Sequence, residues 1–163
     1  MELVLGLPSS GKSTMVTDPD SEEMQAFILD CDVVKEFIPE FQESHGGAAD
    51  AVHLESFDIM DDAMQEFFTG NLKGVNVIIP IVADDFDKLM NNYIKPFENT
   101  GYTVKAKFLE CEPNVSMARN VARELETGRI INSKVVLSFG LKPYEVYKKL
   151  STMKNTAGEF YGD

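Results

Sequence analysis

The stretch that decides the fold is Glu2-Leu3-Val4-Leu5-Gly6-Leu7-Pro8-Ser9-Ser10-Gly11-Lys12-Ser13. Its first four residues, Glu2 and the apolar Leu3-Val4-Leu5, form a short strand-like run ended by glycine, the mark of a buried strand. The next eight fit the pattern G-x-x-x-x-G-K-[ST], and each fixed residue has a mechanical reason. The glycines let backbone N–H groups turn inward and form a nest for phosphate oxygens. Lys12 reaches the β- and γ-phosphates as a point charge, and Ser13 offers a hydroxyl to Mg²⁺. Gly6, Pro8, Ser9, Ser10, Gly11, Lys12, Ser13 and Thr14 are therefore the expected nucleotide-binding residues, with ATP and Mg²⁺ as cofactors.

Outward from this loop, strand-like and helix-like segments alternate. Ala26–Leu29, Val75–Ile79 and Tyr102–Leu109 read as strands. Val33–Phe37, Asp50–Phe68, Asp84–Phe97, Asn114–Glu126 and Pro143–Leu150 read as helices. Pro39 and Pro80 read as stops, Asn114 as a helix cap, and Ile130–Leu137 is ambiguous. No hairpin signal joins two strands. The order favours an α/β three-layer sandwich around a mostly parallel sheet, of the P-loop NTPase and nucleotide-kinase type. Ligands in such sheets bind beyond the carboxyl ends of the strands. The 163 residues suffice for one domain. No linker divides them, and residues 153–163 read as a polar, frayed tail.

Composition narrows the partners. The net charge of −12 repels nucleic acid and anionic lipid at long range. No apolar run approaches the ~18 residues of a membrane helix, and no signal peptide is expected. Cys31 and Cys111 are too few for a disulfide framework, and a reducing cytoplasm suits them.

The loop alone specifies a nucleotide triphosphate. A GTPase would add an Asn-Lys-x-Asp element, which the chain lacks. A motor ATPase would want a carboxylate after the strand that here ends in Pro80. Both features point to a small-molecule kinase. After the second strand, Asp32 is a candidate general base for a substrate hydroxyl, or else a cap for the next helix. Asp30 is a candidate Mg²⁺ residue through water. The only arginines are Arg119, Arg123 and Arg129, all within eleven residues. Arginine supplies fork-shaped positive charge to a transferring phosphoryl group. Arg119 and Arg123 share a helix face; one of them and Arg129 are expected to act, the other to be structural. On the long helix, Glu55 is a candidate contact for a substrate hydroxyl, set against a solvated helical face.

Together the loop, the Asp30-Cys31-Asp32-Val33-Val34-Lys35 segment with Pro39-Glu40, and Arg119-x-x-x-Arg123 followed by Gly128-Arg129 resemble the zeta-toxin family of P-loop kinases. The segment Val77–Val82 and Gly101-Tyr102 are similar to chromosomal zeta-like proteins. The resemblance runs from Met1 to Leu150. It implies ATP–Mg²⁺ use, Lys12 on phosphate, Ser13 on Mg²⁺, and Asp32 as base. It also implies one arginine of the helix pair, with Arg129, on the transferring phosphate. Characterised zeta toxins phosphorylate UDP-N-acetylglucosamine on the sugar and so block cell-wall synthesis, and Lys35 would lie on the acceptor side. Where many of the toxins carry an acidic residue and Gly-Thr after the third strand, this chain reads Pro80-Ile81-Val82-Ala83. An antitoxin partner is compatible with the resemblance, and none is visible in the sequence. Two rival readings stand beside a metabolite kinase: a polynucleotide 5′-hydroxyl kinase, and a nucleotide-dependent switch without transfer chemistry.

Overall fold

The computed structural model describes residues 1–16, 26–45, 47–49, 51–127 and 132–162. Strand β1 (Glu2–Leu5) is interior to a four-stranded, all-parallel sheet of order β2-β3-β1-β4, with β2 at Phe27–Ile28, β3 at Val77–Ile81 and β4 at Lys105–Phe108. Both neighbours of β1 run beside it in register, Val4 opposite Pro80 and Leu5 opposite both Ile81 and Phe108. Leu3, Val4 and Leu5 have no exposed surface, as a strand covered on both faces requires.

Alternation along β1 divides the core in two. Leu3 and Leu5 join the large cluster with Ile79, Met60, Met64, Phe67, Leu89, Ile94, Phe97 and Leu150. Val4 joins Ile78 and Val16 of helix α1 (Lys12–Val16) on the other face. Successive strand residues point to opposite faces, so the sequence run without polar interruption becomes the middle layer of a three-layer sandwich. Short helices α2 (Cys31–Lys35) and α3 (Pro39–Glu43) follow β2. The long α4 (His53–Phe68) buries Ser56, Met60, Met64 and Phe67, a stripe of one residue per turn. Fully burying a side chain such as Phe67 contributes about 1.5–3 kcal/mol.

Pro80 does not stop β3; it lies inside it, buried. The reason is the shortness of β2. In a parallel strand alternate residues bond to alternate sides, and Asn76 and Ile78 accept from Phe27 and Leu29 on the β2 side. Pro80 has the same parity, but the pairing with β2 ends at Leu29, so its missing N–H closes the ladder instead of breaking it in the middle. Pro39 likewise opens α3 rather than ending a helix, and Asn114 lies within α7 (Pro113–Thr127) rather than capping it.

Between β3 and β4 the chain forms α5 (Phe86–Leu89), a π-turn at Met90–Ile94 and α6 (Lys95–Asn99). The π-turn precedes Pro96, and the Lys95 N–H bonds Met90 O. A proline ring crowds the carbonyl four residues earlier, and the wider turn makes room for it. After α7, residues 133–137 of the ambiguous segment fall in α8 (Ser133–Phe139), and α9 (Lys142–Ser151) has its proline in the first turn.

The tail departs from the frayed reading. From Met153 to Gly162 it is held against the sheet rather than frayed. Lys154 bridges Phe160, and Gly162 lies parallel to Ala106 of β4, whose N–H bonds Tyr161 O at 2.7 Å. Tyr161 is buried and donates to Glu98 Oε1 at 2.7 Å. Buried Asn155 donates to Val104 O and accepts from the Ala157 and Glu159 N–H groups. A polar sequence hid this because its anchors are one aromatic ring and one amide.

Candidate active site

The loop after β1 takes the shape its residues predict. Gly11 has φ 102° and Ser9 has φ 53°, the left-handed conformations that turn successive N–H groups to one side. At Gly6 a side chain is excluded by contact. A Cβ there would lie 2.9 Å from Leu109 O and 2.9 Å from Ser10 Oγ. Ser10 is buried, and its Oγ has no hydrogen-bond partner among the described residues. Pro8 is half-buried, and Thr14 is exposed on α1.

Lys12 folds over this loop and donates to Gly6 O at 3.1 Å and Leu7 O at 2.7 Å. Burial lowers its pKa from 10.5 to about 8, against the pull of the Asp32 and Asp30 carboxylates and the Cys111 thiol. The lysine is thus desolvated and flanked by acids, so an added phosphate would restore its preference for the charged form.

Asp30 and Asp32 share one site because the chain turns between them. Asp30 is extended (φ −119°, ψ 119°) and α2 begins at Cys31. The helix cap is Asp30, not Asp32: Asp30 Oδ1 accepts from the Asp32 N–H at 2.9 Å. Its other oxygen, Oδ2, accepts from Ser13 Oγ at 2.9 Å. Asp32 is left with its side chain 35% exposed and Oδ1 3.4 Å from Lys35 Nζ, while Lys35 is buried. A hydroxyl and a carboxylate side by side are hard oxygen donors of the kind Mg²⁺ takes, with nucleotide phosphates and water completing its shell. No cluster of three or more His, Cys, Asp or Glu stands ready as a metal cage among the described residues.

The arginines divide. Arg119 reaches the loop and its Nη1 donates to Ser10 O at 3.0 Å. Arg123, one turn on, is half-buried. Arg129 lies outside the described residues. Glu55 is exposed on the first turn of α4. Its neighbour Ser56 faces inward, 2.9 Å from Cys31 Sγ and donating to His53 O at 2.7 Å.

Two residues that the sequence did not single out also touch the loop. Ser116 Oγ donates to Pro8 O at 2.6 Å, and Asn120 Oδ1 lies 3.5 Å from Ser9 Oγ. Both are almost wholly buried. Their spacing of four, with Arg119 between, was the available signal: three polar residues on one face of an otherwise amphipathic helix.

A parallel sheet, a phosphate nest after its first strand and paired carboxylates at the tip of the second define the class of P-loop kinases. The zeta toxin family model matches residues 1–150, and the chain belongs to that family. Among solved structures, a chain of the PezAT chromosomal toxin–antitoxin system of Streptococcus pneumoniae superposes with TM-score 0.69 at 17% identity, covering 93% of this chain and 63% of that one. This chain therefore spans less than two thirds of that relative's length. A protein of Chloroflexus aurantiacus superposes with TM-score 0.62 at 16% identity (85% and 76% covered). A chain of the Pnkp1/Rnl/Hen1 RNA repair complex gives TM-score 0.56 at 17% identity (91% and 45% covered). No curated protein matches by sequence. Among the described residues no helix is long and apolar enough to cross a membrane.

Proposed function

We propose that the protein transfers the γ-phosphate of ATP to a hydroxyl of a small metabolite, with a nucleotide sugar such as UDP-N-acetylglucosamine as the first acceptor to test. The observation that carries this reading is the convergence of Ser13, Asp30, Asp32 and Lys12 at the mouth of the nest. The Ser13–Asp30 pair is 2.9 Å across and both carboxylates act on Lys12. In this reading the loop N–H groups and Lys12 hold the β- and γ-phosphates. Asp32 accepts the acceptor's proton as the new O–P bond forms and the bond to the β-phosphate oxygen breaks, leaving ADP. Lys35 keeps the Asp32 carboxylate oriented. Mg²⁺, when bound through Ser13 and the Asp30 side, would supply charge to the phosphate oxygens. One arginine of the Arg119/Arg123 pair, together with Arg129, is proposed for the transferring group; Arg119 already stands at the loop, its Nη1 on Ser10 O.

Family membership supports the kinase chemistry, and the zeta toxin name supports the sugar-nucleotide acceptor and an antitoxin partner as proposals. The buried Lys35 beside Asp32 and the charge of −12 count against a polynucleotide acceptor. The test is incubation with γ-labelled ATP and UDP-N-acetylglucosamine, then with a metabolite extract, the labelled product being identified by mass. A labelled sugar nucleotide supports the whole reading, and a different labelled metabolite corrects the acceptor. ATP binding with no labelled product from either supports a nucleotide switch instead. A labelled 5′-end on added oligonucleotide would restore the polynucleotide reading.

A further inference from the structure

We propose that Ser116 and Asn120 of α7 are positioning residues for nucleotide binding, acting through the phosphate loop; this rests on the loop's role as the nucleotide site.

A nest that points its N–H groups at a ligand must point carbonyls away from it, and buried carbonyls need donors. In this loop those donors are largely side chains. Lys12 Nζ serves Gly6 O and Leu7 O, Ser116 Oγ serves Pro8 O, and Arg119 Nη1 serves Ser10 O. The Ser116 contact is the shortest of these at 2.6 Å. Asn120 adds a hold on Ser9, whose hydroxyl lies 3.5 Å from Asn120 Oδ1. Ser9 is the loop's one non-glycine residue with positive φ, at 53°. That conformation is unfavourable for an L-residue unless its surroundings hold it.

Ser116, Arg119 and Asn120 fall at i, i+3 and i+4, so one face of one helix supplies all three contacts. Ser116 has 0% and Asn120 1% of its surface exposed, beneath the loop. Neither is placed to touch acceptor or the reacting phosphate. Their effect is to preset the nest, so that ATP meets N–H groups already aligned instead of ordering them on binding. Truncation should therefore appear in nucleotide affinity.

The test is calorimetric titration of the full chain with ATP and MgCl₂, alongside thermal melting without nucleotide. Ser116→Ala is expected to weaken ATP binding about tenfold, the order of one hydrogen bond. Ser116→Thr, which keeps the donor, should recover most of it. Ser9→Gly relieves the positive φ, so it should leave melting unchanged or raised while still weakening ATP binding. Ser9→Gly and Asn120→Ala combined should weaken binding no more than the worse single change. Melting losses in Ser116→Ala and Asn120→Ala with unchanged ATP affinity would overturn the proposal and make both residues core packing. Should Ser116→Ala not fold, the Ser9→Gly and Asn120→Ala pair decides it by the same criterion. An unchanged affinity in Ser9→Gly would then sink it. Absence of ATP binding by the unaltered chain would overturn the loop's role itself, and with it this proposal. Normal ATP binding without transfer to any acceptor would overturn only the kinase chemistry.

Discussion

Asp30 Oδ2 accepts from Ser13 Oγ at 2.9 Å while Asp30 Oδ1 accepts from the Asp32 N–H at 2.9 Å. One carboxylate thus ties the phosphate loop to the first turn of α2 and fixes where Asp32 stands. Replacing it separates its two jobs. Asp30→Asn keeps an acceptor oxygen for the cap but loses the charge. It should leave the melting temperature nearly unchanged and raise the Mg²⁺ needed for half-maximal phosphoryl transfer about tenfold or more. Asp30→Ala should in addition lose about 1 kcal/mol of stability through the cap. Mg²⁺ titration of labelled-product formation and urea unfolding measure the two effects.

Asp32→Asn is expected to lower the rate of phosphoryl transfer by about 10²–10⁴-fold, the usual contribution of a positioned base, with ATP affinity little changed. Full activity in this variant would show that Asp32 is not the base. Single-turnover kinetics with saturating acceptor separate the two quantities.

The lysine of the loop makes binding and stability depend on pH in opposite directions. Burial lowers the pKa of Lys12 from 10.5 unfolded to about 8 folded. The unfolded chain then binds more protons between those values, so stability rises as pH climbs from about 8 to 10.5. Below pH 8 the buried charge costs its full amount, up to about 3 kcal/mol. ATP favours the charged lysine, so its affinity should fall as pH rises past about 8. Lys12→Met should remove the stability slope in that window, and Lys12→Arg should flatten the ATP profile there. Denaturant unfolding and calorimetry at pH 7–10 read both.

Gly6→Ala places a methyl group 2.9 Å from the backbone oxygen of Leu109. That atom cannot swing away as a flexible side chain would, so the loop must shift. ATP binding should drop at least tenfold even where the variant folds, and equilibrium binding below its melting temperature tests this.

The tail is predicted to be structural. Removing residues 153–163 uncovers the β4 edge and the Glu98 pocket filled by Tyr161. Tyr161→Ala alone should cost about 3 kcal/mol, as for other large buried aromatics. Urea unfolding provides the measure. A loss under 0.5 kcal/mol, the size of an ordinary surface change, would show that the tail is dispensable.

Much of the candidate site was legible in the chain because its expected chemistry is local. Gly6 to Ser13 form a contiguous loop whose glycines, lysine and serine each have one mechanical reason to be there. The unbroken apolar runs of β1 and β3 required a sheet covered on both faces. The acids Asp30 and Asp32 stood out as candidates, but the cap expected at Asp32 falls to Asp30, because α2 begins at Cys31, two residues before the Val33 start that the sequence suggested.

What the tertiary structure decided is every feature that depends on where a neighbour ends. Pro80 can lie inside β3 because the pairing with β2 ends at Leu29, so its missing N–H interrupts no further rung. Arg119 meets Ser10 across 109 residues and Ser116 meets Pro8 across 108. No periodicity in α7 says what its polar face will touch. The local pattern determined a phosphate loop on a parallel sheet, because backbone conformation and burial follow from near neighbours. The contacts that hold that loop open were decided by packing, because only the folded chain brings α7 beneath it.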